Sequence, residues 1–265
     1  MKEQKSKKQT IFFKNRPKVL SFYSLVGKKE GNGPFKAYFD HIMKNDLFGE
    51  KTYEKAERKM LETAIYGAID KAKLKNEDID CLISGDLLNQ IISSSFSARQ
   101  LGSAYIGLYG ACSTMAESLG VGALLVDSGH YKKVACATAS HFGSVEKQYR
   151  YPLELGNQRP PVSQWTVTGS ACTILSNKGS KISITSATFG RVTDYGITDA
   201  NNMGAAMAPA IAIIGLCGMI LPRISNTKIY SKGGKYSINN VCEIQVGSQQ
   251  NILLTFYYRI KIQII

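Results

Sequence analysis

The chain has 265 residues, 44% of them hydrophobic and 20% charged, enough for one large domain or two small ones around a substantial core, with the composition of a globular α/β protein. Cys81, Cys112, Cys136, Cys172, Cys217 and Cys242 lie far apart with no CxxC pair, and no charged-then-apolar leader opens the sequence. This argues against a disulfide framework and leads us to expect free thiols in a reducing cytoplasm. The net charge of +13 sits at the ends, with nine Lys or Arg against two acidic residues in 1–30 and six against one in 211–265. The body between them is nearly neutral, which argues against a nucleic-acid groove.

Residues 1–30 read as a basic arm with a first strand region. Over 52–73, Met60, Leu61, Ala64, Ile65, Ala68, Ile69 and Ala72 recur at helical spacing and predict an amphipathic helix. Asn76-Glu-Asp78 is a turn and 79–83 a short strand, which ends in the polar loop 84–90. Loops past the carboxyl ends of parallel strands are where α/β sheets hold ligands. A second helix is expected over 94–101, then an apolar stretch, 104–109, leading into GACST (110–114) and a small-residue helix, 115–126. Residues 133–139 form the next strand, with Ser140-His141 at its polar end. Residues 148–165, with three prolines and two arginines, read as a long loop of the kind that serves as a lid or binding segment. Residues 166–175 and 181–186 look like a strand pair joined by a turn at Asn177-Lys-Gly179. The alternation predicts a mainly parallel mixed sheet with helices on both faces.

Cys112 carries the sharpest chemistry. A strand turning into a helix at a cysteine places sulfur near backbone N–H groups and the positive helix end, which favour thiolate. That suits a nucleophile or the wall of an anion pocket, while a buried cysteine that only fills space is equally compatible with the local sequence. His141, at another strand end, could pair with Cys112, serve as a hydrogen-bonding group of a pocket, or be an ordinary loop histidine. His41, His130 and His141 lack metal-ligand spacing, and no Walker or GxGxxG loop is present.

The strings GPFKAYFD (33–40), YEKAERKMLE (53–62), NEDIDCLISGDLLNQ (76–90), GACSTMAES (110–118), ALLVDSGHYKK (123–133), QYRYPLELGNQRP (148–160), TVTGSACTILS (166–176) and ITSATFGRVTDYGITDANNMGAAMAPA (184–210) together resemble the thiolase-like superfamily and, within it, the stage V sporulation protein AD family. The resemblance implies an α/β thiolase-like fold, of which 31–200 is the N-terminal half. It implies a role in sporulation through binding of dipicolinic acid (pyridine-2,6-dicarboxylate) and its uptake into the developing spore. It also implies a homodimer, working with other stage V sporulation proteins and peripheral to the spore inner membrane. The nucleophile of thiolases matches Cys112, but the histidine and second cysteine that assist it belong to a second half that finds no match here. A non-enzymatic binder is therefore expected, with a Cys112 acyltransferase or a nonfunctional fragment as alternatives.

A flat aromatic dianion needs cationic or N–H donors and a surface to stack on. Arg150 and Arg159 are candidates for its carboxylates, Trp165 or Tyr149 for stacking, and Asn89, Gln90, His141 and the amides after Cys112 for neutral donors. Asp86 would repel the bare dianion and fits only a calcium chelate of it, facing the metal; otherwise it is a turn aspartate. Neither a metal site nor a cofactor of the protein's own is expected.

The resemblance stops after Ala210. Residues 211–265 hold 13 isoleucines and one acidic residue without amphipathic order, as a shifted reading frame or truncated gene would encode, so 201–265 is expected to be a remnant of the second half plus an anomalous tail. The uncharged span 200–222 is long enough to cross a bilayer, though Pro209 and its glycines make it a poor spanning helix.

Overall fold

The computed structural model describes residues 9–88, 90–149, 166–190, 193–194, 241–250 and 254–264. A three-residue strand, β1 (Thr10–Phe12), precedes a nine-residue one, β2 (Lys18–Val26), and β3 (His41–Ile42) follows a pair of short 3-10 turns. Helix α1 (Tyr53–Lys71) starts where Thr52, in extended backbone, accepts a hydrogen bond from the Lys55 amide (3.3 Å), with Glu54 in its first turn and Lys71 in its last, as the helix dipole favours. Then come β4 (Cys81–Asp86), α2 (Ile92–Leu101), β5 (Ala104–Gly107), α3 (Thr114–Asp127), β6 (Lys133–Ser140), α4 (Phe142–Tyr149), β7 (Gly169–Ser176), β8 (Ile182–Phe189) and β9 (Thr193–Asp194). Gly102 closes α2 at φ +76°, a left-handed conformation that glycine adopts without a Cβ clash. Two further strands, β10 (Val241–Gln250) and β11 (Leu254–Ile264), pair with each other.

Among the described residues these strands make one mixed sheet, whose main path runs β10-β11-β8-β2-β7-β6-β4-β5. Strands β5, β4 and β6 are parallel, with Ser84 opposite Gly107 and Asp86 opposite Ala139. Strand β7 runs antiparallel to both β6 and β2. The alternation of β4 sends successive residues to opposite faces. Cys81 and Ile83 pack with Leu119, Ala123 and Val126 of α3, while Leu82 packs with Leu61, Ile65 and Ile69 of α1 and with Leu101 of α2. Helices therefore cover both faces, as the alternation predicted. Each large side chain of these two cores contributes about 1.5–3 kcal/mol by leaving water.

Two sequence expectations are corrected. Strands β7 and β8 follow each other in the chain but do not form a hairpin, because β2 lies between them, pairing along its whole length with β7 and at Lys18 with Ser183 of β8. An apolar strand delivered by the N-terminus takes the central place that a two-strand reading leaves no room for. In the tail, β11 runs antiparallel to β8, so the segment is not without order. The expected loop 148–165 begins inside α4 at its first two residues, and the rest lies outside the described residues. So does the uncharged span 200–222. Among the described residues no helix is long and apolar enough to cross a membrane.

Candidate functional site

Because β4, β5 and β6 are parallel, the segments after them, beginning at Leu87, Leu108 and His141, emerge at one edge of the sheet. Cys112 lies in the 3-10 turn Ala111–Ser113 that leads into α3, as the sequence predicts. Ala111 is held at φ +46°, a costly conformation for a residue with a Cβ, and Ser113 Oγ donates to the Gly110 carbonyl oxygen (2.7 Å), which fixes the turn. Strand β10 runs beside this turn. The residue is exposed, and desolvation still raises its thiol above the ordinary value, against the favourable effect of its own backbone N–H. The expected thiolate is therefore not favoured.

His141 is fully buried and does not pair with Cys112. The Gly143 amide donates to its Nδ1 (3.0 Å), which makes Nε2 the protonated nitrogen, and Nε2 donates to the Asp46 carbonyl oxygen (2.7 Å). Its ring stacks on Tyr53 at the start of α1 (4.9 Å between centroids) and on Phe142. Burial lowers its pKa and keeps it neutral. Strand β4 separates β5 from β6, so the two segments emerge roughly 10 Å apart. They then diverge, with α3 on one face and His141 against the helix of the other.

Asp86 is likewise turned inward. Its carboxylate accepts from the Ser93 (2.7 Å) and Ser94 (2.8 Å) amides and from Ser94 Oγ, so it ties the end of β4 to the first turn of α2. With 2% exposure and three donors it does not face a bound metal, which corrects the calcium-facing role. Burial raises its pKa against the pull of those hydrogen bonds. Gln90 is exposed. Asn89, Arg150, Arg159 and Trp165 lie outside the described residues, as does the side chain of Tyr149. Among the described residues no group of three His, Cys, Asp or Glu is placed to hold a metal ion.

Sequence reasoning missed a buried carboxylate and a cleft. Glu57 of α1 is 1% exposed, accepts from Ser144 Oγ on α4, and has an Oε1 with no hydrogen-bond partner. Burial pushes its pKa up to about 8, helped by the nearby charges of Asp86 and Glu54 and opposed by Ser144. The signal was there, since Glu57 lies three, four and seven residues before Met60, Leu61 and Ala64, on the apolar stripe of its helix.

The cleft, of about 280 Å³, is lined by Lys29, Glu30, Asp46, Phe142, Thr166 and Thr168. Four segments build it: the turn after β2, the stretch before α1, the start of α4 and the approach to β7. Thr168 donates its amide to Glu30 Oε1 (3.0 Å) and its Oγ1 accepts from the Phe142 amide (3.1 Å), so the walls are tied together. Glu30 Oε2 is out of contact with water and has no hydrogen-bond partner. A cation, an aromatic ring, two hydroxyl residues and two carboxylates meet here.

Comparison with solved structures gives the fold. The chain is similar to 3-oxoacyl-[acyl-carrier-protein] synthase III from Aquifex aeolicus, with TM-score 0.52 and 14% identity over 75% of this chain and 69% of that one. It is also similar to Xanthomonas campestris OleA (E117D), with TM-score 0.50 and 13% identity over 79% and 74%. The fold is therefore α/β and thiolase-like. Stage V sporulation protein AD of Bacillus subtilis is 43% identical over 205 residues, which is 77% of this chain, and the match spans 61% of the length of that relative. Residues 7–216 match the family described as Stage V sporulation protein AD (SpoVAD). With the thiolase-like sheet, the helix-leading Cys112 turn and a match over most of its length, the chain belongs to the stage V sporulation protein AD family.

Proposed function

We propose that this sporulation protein binds dipicolinate without chemically changing it and assists its uptake into the developing spore. The observation that carries the reading is the cleft between β2, α4 and β7 in a chain of this family. Dipicolinate has roughly a dozen non-hydrogen atoms, a size that such a cleft accommodates. Lys29 and the Thr166 and Thr168 hydroxyls suit its carboxylates, and Phe142 suits its ring. Glu30 and Asp46 would repel the bare dianion but favour its calcium chelate, so the chelate is the preferred cargo. Arg150, Arg159 and Trp165 remain candidates for completing the site from the segment that follows α4. The protein acts from the cytoplasmic side, peripheral to the spore inner membrane, as a homodimer and with other stage V sporulation proteins.

Acyl transfer through Cys112 is disfavoured by its desolvated thiol and by a neutral His141 engaged elsewhere. Titration calorimetry with dipicolinate, with and without calcium, tests the binding reading in parallel with intact-mass analysis after incubation with an acyl-coenzyme A. We expect heat of binding that is stronger with calcium and weakened about tenfold or more by Lys29→Ala, with no mass gain. Acylation at Cys112, or no binding under either condition, overturns the reading.

A further inference from the structure

The loop from β2 to β3 carries two aromatic rings into solvent. Phe35 is 66% exposed and Tyr38 77%, and the residues from Pro34 to Tyr38 are exposed without a break. The loop is nevertheless built. Gly33 donates its amide to the Glu30 carbonyl oxygen (3.0 Å), Lys36 to that of Gly33 (3.2 Å) and Tyr38 to that of Phe35 (2.9 Å), and the two rings lie 6.4 Å apart. Lys28 and Lys36 are exposed on the same loop. Of the loop's two acids, Asp40 is taken up by the Ser24 amide and by Lys71, and Glu30 is turned inward to the Thr168 amide, so the charge exposed around the rings is positive.

Two rings of this size offer about 150–250 Å² each, well below the roughly 800 Å² per partner of a stable protein interface. Aromatic rings flanked by lysines do match a bilayer surface, where rings sit among the headgroups and lysines meet lipid phosphates. We propose that the loop 33–38 docks the protein on an anionic membrane, with Phe35 and Tyr38 entering the headgroup layer and Lys28 and Lys36 pairing with lipid phosphates. This inference names the surface behind the peripheral-membrane part of the proposed function and rests on that part.

The test is co-sedimentation of the full chain with phosphatidylglycerol/phosphatidylcholine vesicles and with pure phosphatidylcholine vesicles, using the parent, F35S/Y38S and K28A/K36A. We expect the parent to sediment with the anionic vesicles only. F35S/Y38S should lose about tenfold in partitioning, and K28A/K36A about fivefold per lysine with a weaker salt dependence. Anionic vesicles that retain F35S/Y38S as well as the parent, or that retain neither, overturn the proposal. Calorimetry with dipicolinate on F35S/Y38S separates the two readings, because loss of vesicle binding with intact dipicolinate binding supports a docking loop distinct from the ligand cleft. Loss of both from that variant overturns docking as the loop's own role.

Discussion

Replacing Glu57 by glutamine should make the protein more stable in proportion to pH. The folded carboxyl titrates near 8, whereas an unfolded glutamate titrates near its model value of 4.5. Between those values the folded state holds a proton that the unfolded state has released, so stability falls as pH rises through the window and levels off above about 8. At 1.36 kcal/mol per pH unit, the penalty relative to a permanently neutral side chain is about 3 kcal/mol at pH 7 and about 5 kcal/mol on the plateau. Glutamine copies the protonated form, keeps an acceptor for Ser144 Oγ and places an NH2 group at a position that has no partner. Urea unfolding followed by far-UV circular dichroism at pH 5 and pH 8.5 measures the difference. We expect the parent and variant to be within about 1 kcal/mol at pH 5 and the variant to be ahead by several kcal/mol at pH 8.5. A variant with the parent's pH slope, or one that is less stable at pH 8.5, refutes the assignment of a neutral, desolvated Glu57.

Asp86→Ala leaves the buried Ser93 and Ser94 amides without their acceptor and should cost about 2–4 kcal/mol in urea unfolding, with Asp86→Asn costing less. Gly85→Ala drives a Cβ into the Leu108 carbonyl oxygen, a backbone atom that cannot swing away, and should lower the melting temperature or abolish soluble expression; a variant as stable as the parent contradicts the close approach of these segments. Alkylation of Cys112 by iodoacetamide, followed by peptide mass mapping, should be slow at neutral pH and accelerate only above the ordinary thiol range, while a fast reaction at pH 7 would restore the nucleophile reading. Lys29→Ala should weaken dipicolinate binding without changing the melting temperature by more than a few degrees, because the contacts of an exposed lysine contribute little to stability.

Local pattern carried much of the fold. Helix α1 with its apolar stripe, the Cys112 turn at the head of α3 and the parallel trio that gathers loops at one edge were all legible, because each rests on local periodicity and on strands and helices that alternate in chain order. The place of β2 was not, since pairing between residues separated by some 150 positions leaves no periodic trace. In the tail, apolar residues at every second position from Leu254 to Ile264 do mark a strand, and isoleucine excess hid the alternation. The site was less legible than the fold. Asp86 and His141 were correctly placed at strand ends, but which way a polar group faces there depends on the partners that arrive from α2, Asp46 and Gly143. The cleft draws Lys29, Asp46, Phe142 and Thr168 from four separate stretches, none a motif by itself.

The position of β2 also sets an order of events during synthesis. The strand is complete at Val26, but the neighbour it pairs with along its whole length, β7, is completed only 150 residues later, at Ser176. At about 5–20 residues per second, roughly eight to thirty seconds pass in which KVLSFYSLV has no sheet to join. Helix α1 can shelter it in the meantime, because Ser21 Oγ donates to the Ala68 carbonyl oxygen (2.6 Å) and Leu20 and Tyr23 pack against the helix cluster. Helix α1 thus provides a waiting position for a strand made too early, and changes at the Ser21–Ala68 contact should show up first as aggregation of newly made chains rather than as a loss of final stability.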